Sequence, residues 1–130
     1  MAERRKQMNR GIYGILSNKP LTKDVYEMKL EGDTSHITAP GQFLNILLDG
    51  FYLRRPISIC DYDEKTVTII YKVVGHGTEA MANLEEGKSL DILCGLGNGF
   101  DTEKCNGKAV LIGGGVGVPP MFNLCKKLIS

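Results

Sequence analysis

The sequence predicts a mainly β chain: an antiparallel barrel or sandwich with one short helix, followed by a single β-α unit of a different kind. Three observations carry that expectation. Short runs of strand-like residues recur between turn signals up to about residue 100. One stretch in that region has helical composition. After a polar, turn-rich stretch at 101–108, the pattern changes to a continuous apolar run that breaks into glycines and then prolines.

The elements follow in order. Residues 11–17 and 25–30 read as strands, the second because Val25, Glu27 and Lys29 alternate with Tyr26, Met28 and Leu30, and Asn18-Lys-Pro20 turns the chain between them. Ala39-Pro-Gly41 forces a turn before a strand over 42–48, which Asp49-Gly50 ends. Further strands are expected at 56–60, 66–74 and 89–93. The helix is expected in Glu79-Ala-Met-Ala-Asn-Leu84, with Thr78 as its N-cap, Glu79 against its positive end and Met81 and Leu84 as its buried stripe. In Ala109-Val-Leu-Ile-Gly-Gly-Gly-Val-Gly-Val-Pro-Pro-Met121 a buried strand enters a Gly-rich turn, and Pro119 and Pro120 open a helix. The domain boundary is placed between residues 104 and 105.

Composition narrows the function classes. A chain of 130 residues that is 42% hydrophobic has room for one good core. A net charge of +1 argues against an extended nucleic-acid surface. No apolar run reaches membrane-spanning length, and the chain is read as cytoplasmic with no membrane partner. Residues 1–10 are polar and basic, without an apolar stretch behind them, and are expected to form a disordered leader. Cys60, Cys94, Cys105 and Cys125 contain no C-x-x-C pair, so reduced thiols are expected rather than metal ligands. His76 is read as solvent-facing, and no metal role is assigned to Asp61 or Asp63.

Two segments carry chemistry. In the terminal loop, Val118 and Pro120 stand where a G-x-G-x-x-G fingerprint needs glycine, and no P-loop lysine follows. What remains is a Gly-rich strand-to-helix turn whose backbone a dinucleotide pyrophosphate can approach, or a tight turn that binds nothing. In Leu53-Arg-Arg-Pro-Ile-Ser-Ile59, an arginine fixed by the following proline can hold a phosphate through paired hydrogen bonds, and Ser58 can donate to a ring nitrogen. The bland alternative is an edge strand with solvated arginines.

Pro40-Gly-Gln-Phe43, Leu53-Arg-Arg-Pro-Ile-Ser-Ile59, Ile70-Tyr-Lys-Val-Val-Gly-His-Gly-Thr78, Leu96-Gly-Asn-Gly-Phe100 and Gly113-Gly-Gly-Val-Gly-Val-Pro-Pro120 occur in series. With them the chain resembles the ferredoxin reductase-like flavoproteins, and within these the electron-transfer subunits of two-subunit, NAD-linked dihydroorotate dehydrogenases. The resemblance implies a six-stranded antiparallel Greek-key flavin-binding barrel over residues 1–104, then the first β-α unit of an incomplete α/β NAD-binding domain over 105–130. It implies that Arg55, Pro56, Ile57 and Ser58 hold FAD, with Arg55 on a phosphate and Ser58 near the reactive ring nitrogen. Ile70, Tyr71 and Lys72 would lie along the cofactor, and Gly77 and Thr78 would take the pyrophosphate. Gly113, Gly114, Gly115 and Gly117 would face the nicotinamide nucleotide. No general acid, general base or metal ligand is called for.

The implied activity is a relay in pyrimidine biosynthesis. Electrons from dihydroorotate would pass from an FMN-containing catalytic subunit through a [2Fe-2S] cluster to FAD and then to NAD. The cluster's Cys-rich segment has no counterpart in this chain, so the fragment is expected to bind FAD without full turnover. Two departures stand out: Cys94-Gly95 replaces the family's Gly-Pro, and Ile57 stands where many wider relatives place Tyr. The competing readings are a small FAD subunit of another ferredoxin or NADP reductase, a non-catalytic interaction module, and an oligonucleotide-binding barrel. The last needs a basic groove with exposed aromatics, which the composition does not supply.

Overall fold

The structure, a computed structural model, describes residues 9–130. Six strands, β1 (Asn9–Pro20), β2 (Val25–Glu31), β3 (Phe43–Leu47), β4 (Arg55–Tyr62), β5 (Thr66–Lys72) and β6 (Ser89–Leu96), close a barrel in the order β1-β2-β5-β4-β3-β6. Every neighbouring pair is antiparallel. β5 returns beside β2, and β6 bridges β3 to β1, the Greek-key route that the resemblance implies. Helix α1 (His76–Ala82) follows β5, and helix α2 (Val118–Ile129) follows the terminal glycines.

The barrel forms because side chains alternate at period two, so one set from each strand meets at the centre. Tyr13 and Ile15, Met28 and Leu30, Leu44 and Ile46, Ile59, Val67 with Ile69 and Tyr71, and Leu90 with Ile92 and Cys94 make that interior. Each large apolar side chain so buried contributes roughly 1.5–3 kcal/mol. All four cysteines are free; Cys60 and Cys94 are buried, and burial pushes both thiols above their ordinary pKa.

The Pro-Gly-Gln and Gly-Asn-Gly motifs meet at one end of the barrel. Gln42 is 3% exposed, and its Oε1 accepts from the amides of Thr38 (2.7 Å) and Ala39 (3.1 Å). Its Nε2 donates to the carbonyls of Gly95 (3.1 Å) and Gly97 (3.0 Å). Gly41 has φ +96°, and a Cβ there would overlap the Phe100 ring. A glycine is needed on both counts.

Several expectations need correction. Asn18-Lys-Pro20 does not turn the chain but ends β1, with Pro20 paired to Tyr26, and the chain bends at residues 21–24 instead. Residues 1–8 of the expected leader lie outside the described residues, whereas Asn9 and Arg10 already belong to β1. Arg10 pairs with Leu93 across the sheet, and its guanidinium donates to Asp91 at 2.8 and 2.6 Å. Helix α1 starts earlier than expected, after an extended Gly75, so Thr78 sits at its third position instead of capping it. From there Oγ1 reaches back to accept from the amides of Val74 (2.8 Å) and Gly75 (3.1 Å). Strand β5 ends at Lys72 rather than Val74, although the Val73 amide still bonds to Asp24.

The last concerns residues 109–112, read as a buried strand. No strand forms there, and Val110 and Ile112 are 85% and 87% exposed. A parallel strand needs sheet neighbours, and each of the six barrel strands already has a neighbour on both sides. The helix behind it does form, with its prolines in the first turn as expected. α2 lies against β4, with Pro119, Asn123 and Leu124 buried and Lys126 bonded to Asp61 at 2.9 Å.

Candidate functional site

Strands β4 and β5 are paired over part of their length. Ile59 faces Ile69, Asp61 faces Thr68 and Tyr62 faces Val67, with an irregularity between Ile59 and Asp61. Beyond Ile59, β4 stays with β3, where Ser58 faces Phe43 and Arg55 faces Ile46, while residues 70–72 of β5 stay with β2. The parting of the two strands opens a cleft of about 370 Å³ lined by Arg55, Pro56, Ile57, Ser58, Ile70, Tyr71, Lys72, Val74, Thr78 and Val116. Its volume suits a small-molecule site.

The two adjacent arginines separate because neighbouring side chains on an extended chain point to opposite sides. Arg54 crosses to β6, where Nη2 meets the Asp91 carboxylate at 3.0 Å and Nη1 bonds the carbonyls of Asn45 and Asp91. Together Arg10 and Arg54 hold the Asp91 carboxyl below the ordinary carboxylate range. Arg55 turns to the cleft. Its Nη1 donates to the Leu53 carbonyl at 2.8 Å, and its guanidinium lies 5.2 Å from the Phe51 ring centroid, a cation–π contact. Across the cleft it presses on Gly77, where a Cβ would overlap Nε and sit 2.8 Å from both Cζ and Nη2.

Thr78 therefore shares the cleft with Arg55, and Gly77, which is not in the lining, packs against the Arg55 guanidinium. The first helical bond of α1 runs from the Glu79 amide to the Gly75 carbonyl (2.9 Å), so the amides before it have no partner inside the helix. Thr78 Oγ1 is engaged in its own turn, and the Thr78 contribution to a ligand is through the backbone. Tyr71 lines the cleft with its ring turned into the core. Its hydroxyl donates to Asn18 Oδ1 at 2.8 Å, and burial pushes its pKa up to about 12. Ser58 and Lys72 are exposed.

The terminal loop is only partly brought to this place. Gly115–Gly117 form a single 3₁₀ turn, closed by the Gly117 amide on the Gly114 carbonyl at 2.9 Å, and Val116 enters the cleft wall. Gly113, Gly114, Gly115 and Gly117 do not line the cleft. Val74, Val116 and the Phe51 platform under Arg55 were not singled out from sequence. Val116 lay inside the Gly-rich motif, but nothing in the local pattern marks Phe51 as a guanidinium platform. Among the described residues no group of three or more His, Cys, Asp or Glu comes together as a metal site. Among the described residues no helix is long and apolar enough to cross a membrane.

A cationic fork, an exposed hydroxyl, free backbone amides and an apolar wall in one cleft fit a ligand with a phosphate end and a flat ring. The chain is 45% identical over 121 residues to the dihydroorotate dehydrogenase B (NAD(+)), electron transfer subunit, of Fusobacterium nucleatum subsp. nucleatum, covering 87% of this chain and 47% of that protein. The protein of the same description from Enterococcus faecalis is 40% identical over 129 residues, covering 94% and 49% respectively. The chain spans about half the length of the curated relatives it matches.

Among solved structures, the NADH-dependent reduced ferredoxin-NADP oxidoreductase superposes with a TM-score of 0.82 at 27% identity, covering 92% of this chain and 44% of that one. The flavohemoglobin from Malassezia yamatoensis, solved with bound FAD and heme, gives 0.74 at 27% identity, covering 92% and 34%. No protein-family model matches the chain.

Proposed function

A homologue of the dihydroorotate dehydrogenase B electron transfer subunits, built on the ferredoxin reductase-like barrel, this chain is, we propose, the FAD-holding part of such a subunit. The observation that carries the reading is the single cleft that brings Arg55 and Ser58 of β4 together with Thr78 of α1, with Gly77 set against the Arg55 guanidinium. In this proposal the subunit works in the cytoplasm and relays electrons from dihydroorotate oxidation to NAD in pyrimidine biosynthesis. Its partner is the FMN-containing catalytic subunit, and a [2Fe-2S] cluster lies between the two flavins, on ligands outside this chain.

FAD, when bound, supplies the exchange between two-electron chemistry with the nicotinamide and one-electron steps. The chain's own residues bind and orient. Arg55, braced by Phe51 and Leu53, presents its fork to a phosphate, and the amides of Gly77 and Thr78 donate hydrogen bonds to the neighbouring oxygens of the pyrophosphate. Ser58 donates to a ring nitrogen, Ile57 and Val116 exclude water from the ring, and the open edge of residues 70–72 lies along the cofactor. The Gly113, Gly114, Gly115 and Gly117 backbone, beside Val116, faces the nicotinamide nucleotide. No side chain moves a substrate proton.

A visible absorption spectrum of the purified chain before and after FAD addition tests the reading. Retained flavin absorbance is expected, weakened by Arg55→Ala and largely intact in Cys94→Ser. Colourless protein, or equal loss in both variants, overturns it.

A further inference from the structure

We infer that Asn18, on β1 and outside the cleft, is a positioning residue for Arg55 that acts through α1; this rests on the FAD reading above. Arg55 is held on three sides. The Leu53 carbonyl and the Phe51 ring belong to its own loop, whereas the third side, Gly77, belongs to α1. The direction in which the guanidinium points therefore depends on where α1 sits.

A helix of seven residues has little stability of its own, so tethers to the barrel set its place. Met81 anchors it in the core. Asn18 fixes its far end, with Nδ2 donating to the carbonyls of Met81 (2.8 Å) and Leu84 (3.0 Å). The same amide is braced from the other side by the Tyr71 hydroxyl, which donates to Oδ1 at 2.8 Å. One side chain thus ties β1, β5 and α1 together and uses both donors and the acceptor of its amide. Aspartate would keep the bond from Tyr71 but turn an oxygen toward two carbonyls. Leucine would lose all three bonds.

The test is a double-mutant cycle on FAD affinity in this chain, read by flavin fluorescence. Asn18→Asp is expected to raise the FAD Kd about tenfold, and to do so by less than about twofold when Arg55 is already Lys, whose point charge cannot use the aligned fork. The visible spectrum of the saturated flavin stays unchanged, because the ring end is untouched. A purely structural role would instead cost the same in both backgrounds, in step with a lower unfolding midpoint. If Asn18→Asp does not fold, Tyr71→Phe, which keeps the ring that lines the cleft and removes the hydroxyl that braces the amide, carries the same cycle with a smaller effect of the same pattern. Wild type that binds FAD, with the Asn18 variant (or Tyr71→Phe in its place) leaving affinity unchanged or costing equally in both backgrounds, overturns this inference and leaves the FAD reading standing. Wild type that binds no FAD removes both.

Discussion

Gly77→Ala sets two physical effects against each other and separates them by assay. Alanine is favoured over glycine inside a helix by roughly 1 kcal/mol, so on propensity alone the substitution strengthens α1. The added methyl, however, falls on the Arg55 guanidinium, overlapping Nε with Cζ and Nη2 at 2.8 Å. That overlap is relieved by swinging the end of a long side chain, not by moving backbone, so its cost to stability is small. Its cost to function is the displaced fork. Hydrogen bonds from a charged donor contribute roughly 1.5–3 kcal/mol each, so misaligning one or two of them weakens FAD binding about 10- to 100-fold or more. Titration of the variant with FAD, alongside thermal unfolding of the ligand-free chain, is expected to show lost affinity at an unchanged or slightly raised midpoint. Wild-type affinity with a raised midpoint would refute the idea that Arg55 works from its seat on Gly77.

Two further outcomes concern the scaffold. Gln42→Ala leaves the amides of Thr38 and Ala39 and the carbonyls of Gly95 and Gly97 without their partner in a buried place, and is expected to lower urea-unfolding stability by about 2–4 kcal/mol; a loss below about 1 kcal/mol would contradict the clamp. Asp91 has a folded-state pKa below its unfolded value, so the stability it adds is present above the ordinary carboxylate range and is lost as pH falls through the lowered value. Asp91→Asn should flatten part of the acid limb in a comparison of unfolding at pH 7 and pH 3, and an unaltered acid limb would remove Asp91 from the account.

The barrel was legible because each strand writes its burial at period two: Tyr26, Met28 and Leu30 face inward as their alternation demands. The start of α1 was less so, since a threonine at the third helical position and one at the cap look alike in sequence. Residues 109–112 show a different limit. Their apolar run records that they are made to be covered, but hydrophobicity does not say by what, and among the described residues no strand lies beside them. The two arginines show a third. Local pattern picked out Arg55, the one followed by proline, but it gave no role to Arg54, which is claimed by Asp91, far away in sequence.

The seam between β4 and β5 makes occupancy a matter of folding. A molecule lodged there meets backbone groups of both strands that face no partner across the seam, and it recognises only the folded chain. Resistance to unfolding then climbs with ligand concentration as RT ln(1 + [L]/Kd), about 2.7 kcal/mol at a hundredfold excess over Kd. Where the β4–β5 ladder stops at Ile59 and Ile69, the guest becomes part of the wall.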